Sequence, residues 1–364
     1  MRCEVGNFSR GEITQTVKRK MLMVSSDSPY PVVVGGFERL IADYQEHVFH
    51  DYDVHHLLYG YDLETQLLHY GSPVPFSDLV GTLLREEFEF AYFVNPALNF
   101  DDNDVIIPLT ERTPSFCFLQ RHPETAVSDA RFKGMVTHFS ERPHPDVLRL
   151  GGSCNPAIFY KNRQAEDFVL CVGRIAPEKN TLELVRDYKQ KIYARYGFPL
   201  YLVGGAHDPE YFRQVWAYVD NESVFCTADP ERPVAPHSWR SSAEIARLCN
   251  RARMFVIASP SESFCIAMVE AMSCGTTCVV NGNFFGFEEH DLQPHVFGNI
   301  TGQQGSILDV LEQALGRDVR IDASAWVGKY SLAATRSRLM PFIRTRLHTH
   351  NGVTTTSVAA ASAG

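Results

Sequence analysis

The chain is predicted to fold as two doubly wound α/β domains. Segments typical of buried strands alternate with segments typical of helices, and such alternation implies a parallel sheet covered by helices. The alternation runs through two separate series, and the second begins near residue 155. A length of 364 residues is too long for one ordinary core and suits two domains.

The first series opens in the order strand, glycine-bearing loop, helix. Residues 19–26 favour the strand, Gly35 and Gly36 lie in the loop, and the apolar spacing of residues 37–44 suits the helix. Further short strands are predicted at residues 52–58, 90–95, 115–119 and 134–137.

The second series repeats this order, with glycines where its strands end. Gly173 and Gly204 lie at the ends of the first two strands, and Gly275 can close a helix in a left-handed conformation. Strands are predicted at residues 168–174, 199–205, 254–258 and 277–281, and helices at 242–251, 264–274 and 323–347. The last residues are mostly Thr, Ser, Ala and Gly, a composition that predicts a disordered tail.

Composition narrows the class of protein. Hydrophobic residues make up 45% and charged residues 21%, which are ordinary globular values, and a net charge of -9 argues against a general nucleic-acid binder. No apolar run has the character of a signal peptide or the length of a bilayer span, so we expect a cytoplasmic protein without integral membrane association. The nine cysteines include no Cys-x-x-Cys pair and favour neither a disulfide framework nor a structural zinc site. The sequence does not indicate an oligomeric state.

Glu262 and Glu270 stand where the strand at residues 254–258 gives way to a helix. Ligands of parallel α/β sheets bind beyond the carboxyl ends of the strands, so Glu262 is placed to accept hydrogen bonds from sugar hydroxyls near a bound phosphate. The alternative is that Glu262 is a first-turn acid favoured by the helix dipole and Glu270 a solvated helix residue.

Arg174 ends the segment at residues 168–174, in which a strand runs into a loop, and Lys179 follows five residues later. Both cations can project into the crevice that the Glu262 loop reaches, where they would stabilise the charge of a departing diphosphate. The alternative is a pair of surface cations on a loop.

In this order the segments resemble glycosyltransferase family 4, the retaining, nucleotide-sugar-dependent enzymes of GT-B fold. The resemblance rests on the glycine pair near the N-terminus, Val-Gly-Arg-Ile-Ala-Pro-Glu-Lys-Asn, Leu-Val-Gly-Gly, and Ser-Glu-Ser-Phe-Cys-Ile-Ala-Met-Val-Glu-Ala-Met-Ser-Cys-Gly. It is strongest from about residue 154 to 290. It implies two Rossmann-like domains facing a cleft: 1–154 on the acceptor side and 155–325 for the nucleotide sugar. A C-terminal helix, 326–350, would pack back towards the N-terminal domain, and 351–364 would be the disordered tail.

The resemblance also implies roles for single residues. Arg174 and Lys179 match the cations that contact the donor diphosphate, Glu262 the acid that faces the transferred sugar, and Glu270 the ligand of the nucleotide ribose. The remaining expected donor contacts are Gly35, Gly36, Gly173, Gly204, Ser263, Phe264, Cys265 and Ile266. The family commonly has Gly at the positions of Ser263 and Cys265, so the loop is expected to be stiffer here.

His122, which follows a predicted strand, is expected either to contact the donor sugar or the acceptor at the cleft, or to be an ordinary loop residue. Two Asp-x-Asp patterns, at residues 51–53 and 102–104, are interpreted as turns and not as a metal site. Since Arg and Lys can neutralise phosphate, no metal or other cofactor is expected.

The expected function is retaining transfer of a sugar from a nucleoside diphosphate, with UDP or GDP favoured, to a small soluble acceptor of specialised metabolism. An acceptor in cell-envelope polysaccharide or glycolipid synthesis is one alternative. A nucleotide-sugar epimerase of the same fold and a noncatalytic nucleotide-sugar-binding protein are others.

Overall fold

A computed structural model of the chain describes residues 18–25, 36–58, 66–69, 72–75, 85–94, 109–119, 131–138, 144–206, 208–231, 240–284, 291–299 and 305–350. The predictions for Gly35, His122, the Asp-x-Asp pattern at 102–104 and the tail 351–364 lie outside these residues.

The N-terminal sheet has six parallel strands in the order β2-β1-β5-β6-β7-β8. A separate antiparallel hairpin, β3-β4, lies between β2 and β5 in sequence. The strands are β1 (Arg19–Ser25), β2 (Tyr52–Leu58), β3 (Gln66–His69), β4 (Ser72–Pro75), β5 (Ala91–Val94), β6 (Ser115–Leu119), β7 (Gly134–Thr137) and β8 (Val147–Arg149).

The C-terminal sheet also has six parallel strands, in the order β11-β10-β9-β12-β14-β16. The chain moves outward from β9 to β11 and then returns to the other side of β9 with β12. The strands of this half are β9 (Val169–Val172), β10 (Leu200–Val203), β11 (Val224–Cys226), β12 (Met254–Ile257), β13 (Ser261–Glu262), β14 (Thr277–Asn281), β15 (Asn283–Phe284) and β16 (Phe297–Asn299). Strand order therefore reverses between β9 and β12, as in doubly wound nucleotide-binding domains.

Side-chain caps and glycine define several helix ends. Ser241 and Glu244 form a capping box at the start of α5, and Gly275 ends α6 with φ +74°. The helices are α1 (Gly36–Asp43), α2 (Thr181–Arg186), α3 (Ala194–Tyr196), α4 (Pro209–Trp216), α5 (Ser242–Arg251), α6 (Ile266–Ser273), α7 (Ile307–Gly316) and α8 (Leu332–His350). π-Helical turns Tyr44–Val48 and Lys189–Tyr193 follow α1 and precede α3, and 3₁₀ turns form at Pro177–Lys179, Gln293–His295 and Trp326–Tyr330.

The core of the N-terminal domain includes residues from the far end of the chain. Leu339, Met340 and Ile343 of α8 belong to the same buried cluster as Met21 of β1 and Phe116 of β6. Two other clusters fill the faces of the C-terminal sheet. The last helix thus packs on the first domain after the chain has completed the second.

The prediction of two doubly wound α/β domains is confirmed. Strands at residues 52–58, 115–119, 134–137 and 277–281 and the helix at 242–251 have the predicted bounds. The helical stretch predicted at about residues 323–347 is divided at Ser331, because the backbone is extended there (ψ 155°) and the Ser331 hydroxyl accepts a hydrogen bond from the Ala334 amide. A 3₁₀ turn before Ser331 and a separate helix after it result.

No helix in the described ranges is both long and apolar enough to cross a membrane.

Candidate functional site

The candidate site lies where β9 and β12 end side by side. These neighbouring parallel strands flank the point at which the strand order reverses. Arg174 and Lys179 follow β9, and Glu262 follows β12. Ligands of doubly wound sheets bind in the crevice outside the carboxyl ends at such a point.

Lys179 and Glu262 form an ion pair in this crevice. The distance from Lys179 Nζ to Glu262 Oε1 is 2.6 Å, and the Ser259 hydroxyl donates a 2.6 Å hydrogen bond to the same oxygen. The Lys179 side chain is 29% exposed and that of Glu262 10%, so the pair is mostly shielded but reachable. Burial lowers the pKa of Lys179, but attraction to Glu262 outweighs it and the pKa lies above its ordinary value. Lys179 is therefore a cation at neutral pH.

Arg174 lies on the same loop in a more open position. Half of its side chain is exposed, and its guanidinium pairs with Glu178 at 3.3 Å. It is close enough to Lys179 for its charge to lower the pKa of that residue. The loop thus presents two neighbouring cations, one held by Glu262 and one freer to turn towards a ligand.

The N-terminus of α6 adds backbone donors beside these cations. Cys265 caps the helix with φ 56° and ψ 80°, a left-handed conformation, and its side chain makes no capping hydrogen bond. Amides in the first turn of a helix have no partner within the helix and favour anions. Burial, with a smaller contribution from Glu262, raises the pKa of the Cys265 thiol well above its ordinary value. This thiol is therefore protonated at neutral pH.

Glu270 lies at the boundary between the two domains. Its two carboxylate oxygens pair with the two terminal nitrogens of Arg39 on α1, with Nη1–Oε1 and Nη2–Oε2 distances of 3.1 Å each. Arg39 is 10% exposed and Glu270 5%. Burial raises the pKa of Glu270, whereas Arg39 acts in the opposite direction. Glu270 is thus a buried residue paired across the domains, and the interpretation of it as a solvated helix residue is wrong.

Arg39 was not among the residues predicted for the site. An isolated arginine in an amphipathic helix is ordinarily interpreted as a surface residue, and no local pattern shows that α1 faces α6. Its position three residues after Gly36, the second glycine of the predicted loop and the first residue of α1, is the signal that could have indicated it. Ser259, three residues before Glu262, was likewise absent from the predicted site.

Gly173 and Gly204 have different surroundings. A Cβ at Gly204 would lie 2.0 Å from the Gly173 carbonyl oxygen, so the close approach of the two loops requires glycine there. A Cβ at Gly173 would meet nothing within 4 Å. Gly173 therefore borders open space, whereas Gly204 allows the neighbouring loop to pack.

Phe264 is a packing residue between the domains. Its ring is 1% exposed, stacks on His138 at 5.5 Å and meets Tyr330 edge-on at 4.9 Å. Gly152 lies against the same ring, with no room for a Cβ. Any contact of Phe264 with a donor is thus limited to its backbone.

Ser263 and Ile266, the other two residues of the predicted donor-binding segment, are only partly buried. Ser263 is partly exposed, and Ile266 packs against the N-terminal core cluster.

The Asp-x-Asp pattern at residues 51–53 lies at the start of β2, the end of the strand opposite to the carboxyl edge. Asp51 pairs with Arg336, and Asp53 accepts a 3.1 Å hydrogen bond from His55. Both carboxylates are therefore used in local contacts. Within the described segments, no group of three or more His, Cys, Asp or Glu side chains has the arrangement of a metal site.

Comparison with known proteins agrees with this geometry. Residues 166–292, which include the cations, Glu262 and Glu270, match the family model of glycosyl transferases group 1. No curated protein sequence matches the chain significantly.

Solved structures resemble the whole chain. AviGT4, a glycosyltransferase involved in avilamycin A biosynthesis, is 17% identical with a TM-score of 0.60, covering 91% of this chain and 98% of its own. HepE of Anabaena in complex with UDP is 14% identical with a TM-score of 0.63, covering 90% and 100%. The catalytic domain of starch synthase IV from Arabidopsis thaliana, bound to ADP and acarbose, is 11% identical with a TM-score of 0.58, covering 91% and 100%.

At these identities the solved structures establish the fold of the chain. Residues 166–292 thus match the model of glycosyl transferases group 1, in a chain whose two six-stranded parallel sheets have the GT-B fold.

Proposed function

We propose that the protein is a retaining glycosyltransferase that moves a sugar from a nucleoside diphosphate to a small soluble acceptor. The observation that carries this proposal is the 2.6 Å contact between Lys179 and Glu262 at the point where strand order reverses. A cation for phosphate and a carboxylate for hydroxyl groups are the two chemistries that a nucleotide sugar requires side by side.

In the proposed complex the diphosphate lies against Lys179, Arg174 and the first amides of α6. Lys179 supplies a point charge and Arg174 a planar fork of donors. Both stabilise the negative charge that accumulates on the diphosphate as the glycosidic bond breaks. Glu262 repels phosphate, so it faces the sugar, where its carboxylate accepts hydrogen bonds from hydroxyl groups.

Retention follows if the acceptor attacks from the face that the diphosphate leaves. The bond between the anomeric carbon and the phosphate oxygen breaks, the acceptor oxygen bonds to that carbon, and its proton passes to the leaving phosphate oxygen. No protein nucleophile takes part in this step. The thiol of Cys265 is protonated, which is consistent with a site that works by orientation and charge stabilisation.

The donor is proposed to be a UDP sugar, with GDP as the second choice. HepE, which has the same fold, forms complexes with UDP and UDP-glucose. We propose a small acceptor of specialised metabolism, in keeping with AviGT4, which is involved in avilamycin A biosynthesis. Donor binding does not require a metal in this proposal, because Lys179 and Arg174 supply the positive charge.

A thermal-shift screen against UDP, GDP, ADP and TDP tests the donor site. A ligand present at 100 times its Kd stabilises the native state by about 2.7 kcal/mol, so one nucleotide should raise the unfolding midpoint clearly. The matching donor sugar is then offered with a panel of small acceptors, and NMR of the product gives the anomeric configuration. The proposal is abandoned if no nucleotide raises the midpoint, or if Glu262→Ala and Arg174→Ala stay folded and turn over donor as the wild type does.

A further inference from the structure

The Arg39–Glu270 pair joins the two domains. Glu270 is buried and the Arg39 side chain is 10% exposed; Arg39 Nη2 donates a 3.1 Å hydrogen bond to Oε2, and Nη1 lies 3.1 Å from Oε1. Arg39 also reaches the Ser242 hydroxyl at 3.4 Å, so one side chain of the N-terminal domain touches both α5 and α6 of the C-terminal domain. A planar fork on a carboxylate is a geometry that lysine cannot reproduce.

Arg39 does not use all of the acceptor capacity of the Glu270 carboxylate. An ionised carboxylate offers about four acceptor positions on its two oxygens, and Arg39 uses at most one on each. One position on each oxygen therefore remains. Two hydroxyl groups on adjacent carbons, as in a ribose, are spaced to donate to these two oxygens.

We propose that Arg39 is a positioning residue of the donor site, which orients the Glu270 carboxylate so that it accepts hydrogen bonds from the ribose hydroxyls of a nucleoside diphosphate. The inference rests on the proposed function, because it assumes that a nucleotide occupies the crevice. It adds a contribution from the N-terminal domain to a site otherwise formed by the C-terminal domain.

The position of α1 supports this role. The helix begins at Gly36, the second glycine of the pair noted in the sequence, and Arg39 lies in its first turn. Glu270 lies on α6, whose N-terminus is proposed to face the diphosphate. Arg39 therefore holds the ribose ligand from across the domain boundary. The same contact brings α1 against α6, so a nucleotide that uses Glu270 binds a site whose shape depends on both domains.

Calorimetric titration of the full chain tests this with ribose and deoxyribose forms of one nucleotide. Whichever of UDP, GDP and ADP binds the wild type most tightly is compared with its 2′-deoxy form. A hydrogen bond to a charged acceptor predicts that the deoxy form binds about 10- to 100-fold more weakly. In Arg39→Gln the carboxylate loses its orientation, and the ratio should fall to about threefold or less. Arg39→Lys, which keeps the charge and loses the fork, should give an intermediate ratio.

Arg336→Gln is the matched control. Arg336 of α8 also contacts the N-terminal domain, donating to the Val48 carbonyl and to the Asp51 carboxylate, away from the crevice. Its variant should keep the wild-type ratio. The inference is overturned if the wild type does not discriminate between the two forms, or if the Arg39 variants weaken both forms equally. If no nucleoside diphosphate binds the wild type, the proposed function itself fails.

Discussion

Replacing Lys179 with methionine should separate the catalytic role of this residue from its structural one. The ammonium lies 2.6 Å from Glu262 Oε1, and after the change this oxygen keeps only the hydrogen bond from Ser259. Breaking a fully buried pair costs about 3–5 kcal/mol, and since Lys179 is 29% exposed we expect roughly 1–3 kcal/mol of lost stability. Loss of one group that stabilises developing charge lowers kcat by about 100- to 1000-fold.

The double variant Lys179→Met, Glu262→Gln separates the structural role of Lys179 from its catalytic role. Removing the charge of the partner as well should restore most of the lost stability, with a coupling energy of about 1–3 kcal/mol, because no unpaired carboxylate remains. Activity should not return. Stability is measured by urea unfolding, and activity by release of the nucleoside diphosphate in the presence of acceptor.

Lys189→Met serves as the control, because Lys189 pairs with Asp220 and Glu222 on the surface of the same domain with half of its side chain exposed. Its loss should leave both the urea midpoint and turnover close to the wild-type values, because solvent screens this exposed pair. The catalytic role of Lys179 is contradicted if folded Lys179→Met turns over donor within threefold of the wild type, or if the double variant is active.

Other changes test the local structure. Burial lowers the pKa of His56 to about 4, below the value of about 6.5 in the unfolded chain. The contribution of the neutral imidazole to the free energy of unfolding is therefore complete above pH 6.5 and is lost as the pH falls towards 4. Wild type should therefore lose about 1–2 kcal/mol more than His56→Gln between pH 7 and pH 5 in urea unfolding, and equal losses would contradict this. Cys265→Gly should be more stable than Cys265→Ala by about 1 kcal/mol, because alanine keeps the left-handed strain; the opposite order in thermal denaturation would count against the backbone conformation. Gly204→Ala should lower the unfolding midpoint more than Gly173→Ala, since only the first places a Cβ 2.0 Å from a carbonyl oxygen; equal shifts would be inconsistent with this packing.

The proximity of Lys179 and Glu262 can be predicted from the sequence, because the fold class determines where both residues lie. Each residue comes shortly after a recognisable buried strand, and the ends of adjacent parallel strands lie at one edge of a sheet. The prediction further requires that β9 and β12 are neighbours in the sheet, and the strand order of a doubly wound domain makes them neighbours. The order of strands and loops along the sequence thus predicts a contact between Lys179 and Glu262, which are 83 residues apart.

The contact between Arg39 and Glu270 could not be predicted in the same way. It depends on how the two domains pack against each other. The apolar pattern within each domain determines that domain's own core and does not determine the orientation of the other domain. The bend at Ser331 was missed for a different reason, since the apolar spacing continues through it and only the capping hydroxyl marks the new helix start. Cys265 carries a partial signal, because glycosyltransferase family 4, which the sequence resembles, commonly has glycine there. The backbone has the left-handed conformation that glycine adopts most easily.

The packing of α8 on the first domain sets an order for folding. Residues 339–343 complete the cluster that contains Met21 and Phe116, so the N-terminal sheet lacks part of its apolar cover until nearly the whole chain has been synthesised. The buried clusters of the C-terminal sheet, by contrast, end at Tyr330 and are complete before α8 begins. The domain that begins the chain is therefore the later one to reach its final stability, and a fragment ending before α8 would expose an apolar face to aggregation.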